Sequence, residues 1–272
     1  MEYIVKRIAK GGRYQRLTSG ANVHYRIWSG GSTTILKFYG NDARYRREQH
    51  AIDALADCTG VPEVIDRGNE GEFWWAHFVD GGKWSLQTMP ESPAAARRAG
   101  AILRQLHGTD PSLLTNLSTG IDEHWLQSEF VSVFERLRRY RRRLSMPNEL
   151  LDLAVQAPPP IASEPRAAHA RPLPAKFLVA DSGNVTLIDW GWATLAPPEW
   201  DYSLAAWMTS LEVGVNAAEA LSEGYGRMMS DDAMRSWIAY HAGSYLLSQA
   251  ETRDGPLTDL GYMVDQLLIM IG

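Results

Sequence analysis

The short run "VTLIDWG" (residues 185–191) ends an apolar, strand-like segment in Asp189 and then turns sharply. A carboxylate at that place is costly unless a cation partners it, and Gly191 permits the exit turn. The arrangement suits a metal-bound phosphate, although a plain turn cap would look the same. Lysine is scarce: five lysines stand against 22 arginines, and two of the five, Lys37 and Lys176, lie beside apolar strand-like runs. Lys37 sits in "TTILKFY", where strand alternation puts it on one face with Ile35 and Tyr39. Glu48, on the next helix, could pair with it and hold the ammonium toward a phosphate. The alternatives are an outward, solvated lysine and one more surface carboxylate in the run Arg44, Arg46, Arg47, Glu48. Before Asp189, where acidic and amide groups would complete a metal site, the chain offers Arg171 and Lys176.

The elements that must position these residues fall into two groups. Residues 13–80 alternate strand-like runs with Gly, Ser and Asn turns: "VHYRIW", "TTILKFY", residues 61–66 and "FWWAHFVD". One helix interrupts them at residues 42–57, with Asp42 as a candidate cap. After Gly82 helical periodicity dominates. "SPAAARRAGAILRQLHG" carries a Ser cap and a Pro at the first helical position. Residues 122–145, 216–250 and 257–271 read as further helices. Between them, "KFLVA" and "VTLIDW" form a hairpin around residues 181–184, entered through a Pro-rich loop. The expectation is an α+β, two-lobed molecule: residues 1–80 a small β-rich lobe, residues 81–272 a larger helical lobe.

Composition sets broad limits. The 272 residues are 45% hydrophobic and 22% charged, ordinary values for a globular protein. A net charge of −5 gives no electrostatic case for nucleic acid. The single cysteine, Cys58, excludes an internal disulfide and a Cys-based zinc site. The first residues, MEYIVKRIAK, lack the apolar run of a signal peptide, and no segment is long and apolar enough to span a bilayer. A cytoplasmic protein is expected.

In their order these segments resemble the aminoglycoside phosphotransferase and choline-kinase-like family, relatives of the protein kinases. "LTSGANVHYRI" resembles the family's nucleotide loop, with Ser19, Gly20 and Asn22 facing phosphate. "TILKFYG" is similar to its phosphate-binding lysine strand, and Glu48 to the lysine's partner. "FWWAHFVDGG" resembles the hinge, which implies adenine contacts from His77, Phe78 and Val79. "LRQLHG" is similar to a family helix end, and "LIDWGWATLAPPEWDYSLAAW" matches the metal-binding Asp-Phe/Trp-Gly segment and the Pro…Asp-Leu-Ala that follows. The resemblance implies a protein-kinase-like fold, ATP or another nucleoside triphosphate, and magnesium held by Asp189.

The catalytic loop departs from the pattern. The family reads His-Gly-Asp-Leu-His-Pro-Gly-Asn; here residues 169–176 are "HARPLPAK", with Arg171 for the base Asp and Lys176 for the metal-binding Asn. Losing a positioned base costs typically ~10²–10⁴ in rate, and cations can contact phosphate directly. Two readings therefore stay open. One is a kinase that phosphorylates a small-molecule or peptide Ser/Thr hydroxyl, using Arg171, Lys176 and Asp189. The other is a pseudokinase that binds nucleotide, phospho-ligand or protein without transfer. Relatives similar to this group phosphorylate precursor peptides in class V lanthipeptide and thioamitide pathways, which makes a peptide acceptor a candidate. "ERLRRYRRRLS" carries Arg138, Arg139 and Arg142, either an acceptor-binding helix for an anionic or peptide partner or a solvated face.

Overall fold

The computed structural model describes residues 1–17, 22–114, 123–155, 158–226 and 229–271. Helix α1 (Glu2–Ala9) precedes strands β1 (Arg13–Leu17), β2 (Val23–Ser29) and β3 (Ser32–Tyr39), then helix α2 (Asp42–Ala54), β4 (Val64–Glu70) and β5 (Phe73–Val79). The five strands form one antiparallel sheet in the order β1-β2-β3-β5-β4. Alternation along β3 decides what each face does. Leu36 and Phe38 pack with Ile27 and Trp75 under Ile4, Val5 and Ala9 of α1. Lys37 and Tyr39 point the other way, toward the side where Ala76 and Phe78 meet the main core.

The helical region opens with the short strand β6 (Trp84–Ser85), followed by α3 (Pro93–His107), α4 (Glu123–Leu137) and α5 (Asn148–Val155). Strands β7 (Arg166–Ala168), β8 (Phe177–Val179), β9 (Val185–Leu187) and β10 (Thr194–Ala196) come next, then α6 (Pro198–Glu212), α7 (Val215–Tyr225), α8 (Asp231–Thr252) and α9 (Gly261–Ile271). One core cluster gathers α3, α6, α7 and the β8–β9 hairpin; a second gathers α4, α5, α8 and α9. Helices α3 and α7 lie backbone to backbone. A methyl group on Gly100 or Gly224 would overlap the facing main chain. The β8–β9 register pairs Phe177 with Leu187, and Ile188 N–H donates to Lys176 C=O at 3.0 Å. Lys176 and Asp189 thus emerge together at the open end of one hairpin.

Several sequence expectations need correction. Asn41, not Asp42, caps α2, accepting from the Arg44 N–H at 3.1 Å. The fourth strand begins at Val64 and runs on to Glu70. The helix expected over 122–145 stops at Leu137 and continues as a 3-10 turn through Tyr140. The helix expected over 216–250 is two, parted after Gly226, whose φ of 72° ends α7. Helix α1 has no counterpart in the sequence expectations, because its apolar face alternates with charges. Among the described residues no helix is long and apolar enough to cross a membrane.

Candidate active site

Lys37 is only 5% exposed, with His24 of β2 and Ala76 of β5 as its register partners. A buried ammonium needs counter-charge. Its Nζ lies 2.6 Å from Glu48 Oε2, and that carboxylate's other oxygen accepts the Trp190 N–H at 3.3 Å. Glu48 therefore ties α2, β3 and the segment after β9 together. Lys37 Nζ also reaches Asp189 Oδ1 at 3.3 Å. Burial by itself would lower the Lys37 pKa, but Glu48 and Asp189 outweigh it and hold the value above normal.

Asp189 has φ 69°, a left-handed conformation that Asp tolerates better than most residues. Its second oxygen, Oδ2, is 3.0 Å from Lys176 Nζ. One carboxylate thus bridges two ammonium groups. Burial opposes its charge, yet Lys37 and Lys176 bring its pKa down to about 2. The Lys176 pKa is lowered by burial against the pull of Asp189, with Arg171 and Lys37 adding repulsion.

A buried scaffold fixes the loop that presents Arg171 and Lys176. Asp201, at the start of α6 and 0% exposed, accepts the N–H groups of His169 at 2.6 Å and Ala170 at 2.8 Å. Ala170 has φ 66°, strained for a residue with a Cβ. The Trp200 indole donates to its carbonyl at 3.0 Å. His169 is fully buried. Its Nε2 faces the Ile188 carbonyl at 3.0 Å and must donate to it. Nδ1 is then the acceptor for the Arg171 N–H at 3.3 Å. Burial, aided by Lys176, pushes its pKa down to about 4. His169 is a neutral strut of the loop.

These groups line a cleft of about 510 Å³ between sheet and hairpin. The sequence-selected residues Asn22, Lys37, Glu48, Phe78, Val79, Arg171, Lys176 and Asp189 border it. Ser19 and Gly20 lie outside the described residues. At the hinge, where the resemblance implies main-chain contacts to adenine, the His77 side chain meets Thr34 Oγ1 at 2.8 Å and β5 pairs with β3 and β4. Asp80 and Gly81, which follow β5, also line the cleft, and the Asp80 N–H donates to Thr33 C=O at 3.3 Å. Sequence reasoning missed Arg44 and Trp192. The Arg44 guanidinium lies 4.4 Å from the Trp192 ring centre and that of Arg171 lies 5.8 Å from it. Both are cation–π contacts at the cleft mouth. Arg44 stands four residues before Glu48 on α2, a same-face spacing that could have revealed it.

The arginine-rich stretch is elsewhere and not one helix. Arg138 pairs with Glu135 and Asp152, while Arg139 and Arg142 are exposed. Arg138 is engaged in these two ion pairs, with its side chain still one-third exposed.

Residues 13–240 match the model of the phosphotransferase enzyme family. The chain belongs to that family. Solved structures of the same fold include a thermostable mutant of aminoglycoside phosphotransferase APH(4)-Ia in ternary complex with ADP and hygromycin B. It shares 15% identity over 100% of this chain and 97% of its own, with a TM-score of 0.73. The GDP complex of wild-type aminoglycoside 2'-phosphotransferase-IIIa gives 16% identity, 99% and 96% coverage and 0.70. Spectinomycin phosphotransferase with ADP and spectinomycin gives 14%, 99% and 94%, and 0.65. No curated sequence matches the chain significantly. The family fold is therefore the bilobal, kinase-like one expected.

The residues present do not fit the magnesium that this family implies. Magnesium takes oxygen ligands in near-ideal octahedral geometry. Asp189 is here a lone carboxylate with both oxygens held by lysines, and the amide expected beside it is Lys176. Among the described residues no three carboxylate, His or Cys side chains gather as a metal site. The other carboxylates of the cleft are engaged too: Glu48 as above, and Asp80 with Arg26 at 3.1 Å and with Gly82 N–H at 3.2 Å.

Proposed function

We propose that the cleft binds a nucleoside triphosphate, ATP or a close analogue, and that the protein transfers its terminal phosphoryl group to a hydroxyl. The single observation behind this is the buried Lys37–Glu48 pair aimed at Asp189. A lysine only 5% exposed between two carboxylates brings a fold little stability, so its charge is best explained by a ligand beside it. Residues 1–80 then form the nucleotide lobe, and residues 81–272 supply the loop and the acceptor side. ADP or GDP in the solved relatives supports a nucleotide here.

Transfer would rest on positioning and charge. Phosphoryl transfer needs little covalent work from a protein. Arg171 meets developing phosphate charge with a planar fork, and Lys176 does so as a point charge. The acceptor is a small molecule or a peptide Ser/Thr. Arg44 and Arg171 around the cleft mouth suit an anionic or peptide acceptor better than a polycationic antibiotic.

One observation favours a second reading, a pseudokinase that binds without transfer: each carboxylate lining the cleft already has a cationic partner. Incubation with γ-labelled ATP and hydroxyl acceptors of both classes separates the two. Label transfer that Lys37→Ala reduces at least about tenfold, the scale of a charge-assisted contact, supports the enzyme. ATP binding measured by calorimetry, with no label transferred to any acceptor, supports the pseudokinase.

A further inference from the structure

The misfit of the magnesium site has a positive counterpart. We propose that the Lys37–Asp189–Lys176 bridge takes the place of a divalent cation, so that this cleft binds a nucleoside triphosphate without metal, its phosphates lying directly on Lys176 and Arg171. The proposal rests on the nucleotide reading above and adds to it how the phosphates are held.

Geometry comes first. A magnesium ion bonds oxygen at about 2.0–2.1 Å. At Asp189 Oδ2 it would have to enter where Lys176 Nζ already stands 3.0 Å away, and at Oδ1 where Lys37 Nζ stands 3.3 Å away. Either approach sets a dication against an ammonium group inside a largely buried site, where like charges repel most strongly.

Lys176 is also not free to swing aside without cost. Its side chain is only 15% exposed and its ammonium is paired with Asp189 Oδ2 at 3.0 Å, while main-chain bonds to Leu173 C=O and from Ile188 N–H fix the backbone that presents it. The Arg171 backbone is fixed in turn through its N–H on His169 Nδ1.

Charge balance points the same way. The cleft is lined by Arg26, Lys37, Arg44, Arg171 and Lys176, and by Glu48, Asp80 and Asp189. Arg26 pairs with Asp80 and Lys37 with Glu48. Arg44, Arg171 and Lys176 then face Asp189 alone, an excess equal to the charge of one divalent ion. A free triphosphate is more negative than its magnesium complex by that same amount. Arg and Lys are the side chains that contact phosphate oxygens directly, by fork and by point charge. The two departures at the loop, Arg171 for the base and Lys176 for the amide, thus act as one. They remove a metal ligand and make the site three charges more positive, and with Arg44 against Asp189 the cleft's net excess matches a divalent ion.

Calorimetric titration of ATP into the full-length protein tests this, in EDTA and again in magnesium. The parent is expected to bind in EDTA within about threefold of its affinity in magnesium, a difference too small to represent a lost ionic contact. Lys176→Asn, which restores the family's amide, should lose about tenfold or more of the EDTA affinity and become magnesium-dependent. Thermal melts of both proteins establish that the variant is folded, and the parent comparison needs no variant. If the parent binds ATP only when magnesium is present, the inference falls and the nucleotide reading stands. If Lys176→Asn binds as tightly as the parent in EDTA, Lys176 is a plug and not a surrogate cation, and the inference again falls. If neither buffer supports binding, the nucleotide reading fails and takes the inference with it.

Discussion

Arg136, Arg138 and Arg143 end on acceptors from their own lobe, whereas Arg171 and Lys176 end in a cleft. Arg136 makes a two-pronged contact with Glu251 at 2.6 and 2.7 Å. Arg143 donates to the carbonyls of Ala250 and Gly255, each at 2.9 Å, and to that of Arg253, around the C-terminus of α8. A helix end has carbonyls to satisfy and a negative dipole end, so a cation there is structural. In the loop the balance is reversed. Asp189 is one carboxylate shared by two lysines, and Arg171 meets an aromatic ring. A crowd of arginines in sequence proves less than two cations whose partners are too few.

Acid should break the loop first, and this is the largest effect expected. His169 and His241 are buried, and burial pushes the pKa of each down to about 4. In the unfolded chain each takes a proton near its ordinary value of ~6.5, so the unfolded state binds more protons as pH falls through that window. Stability is therefore full above ~6.5 and declines toward pH ~4, by up to about 1.4 kcal/mol per pH unit for each histidine. For His169 there is a local cause as well. A proton on Nδ1 would face the Arg171 N–H that this nitrogen now accepts. Urea unfolding at a series of pH values from mildly alkaline down to the acid end of that window measures the slope. A flat profile would show that these histidines do not hold the scaffold neutral.

Removing Asp201 is expected to come next in size. Asp201→Ala orphans the N–H groups of His169 and Ala170. Each buried donor left unsatisfied costs about 1–3 kcal/mol, and the two losses add. Ala170 would also lose the contact that holds it at positive φ. Asp201→Asn keeps one acceptor oxygen and should fall between parent and Ala in equilibrium unfolding. Equal stability of all three proteins would remove Asp201 from the support of the loop. The same measurement on the arginine-rich segment gives the contrast, since its contacts lie at the surface.

The two cationic stretches also show what sequence can and cannot convey. Strand alternation in "TTILKFY" is enough to place Lys37 beside Tyr39 and away from Leu36, and the structure puts the Lys37 ammonium 4.8 Å from that ring's centre. The hairpin around residues 181–184 follows from its turn residues, and it alone brings Lys176 to Asp189. Less is visible where a partner is distant in sequence. Glu251 lies 115 residues from Arg136, and no periodicity connects them. Trp192 and Arg44 meet only because α2 packs beside the segment after Asp189. The end of the fourth helix at Leu137 is hidden too, since the arginines beyond it have ordinary helix propensity.

The smallest effects belong to that arginine segment, and they sharpen the contrast most. Arg136→Ala and Arg138→Ala each remove a solvent-accessible ion pair, worth ~0.2–1 kcal/mol after screening. Nucleotide affinity should not change, because neither residue borders the cleft. Arg139 and Arg142 are exposed, so reversing both to Glu should leave unfolding and ATP binding as in the parent. What remains open to them is long-range attraction for an anionic peptide, a surface effect that fades beyond a Debye length of ~8 Å at physiological salt. Binding of an acidic peptide to parent and to the Arg139→Glu/Arg142→Glu variant, at low and at physiological salt, reads this directly. Weaker binding of the variant at low salt alone would make the segment a docking face for the acceptor. Equal binding at both salts would leave it a solvated surface.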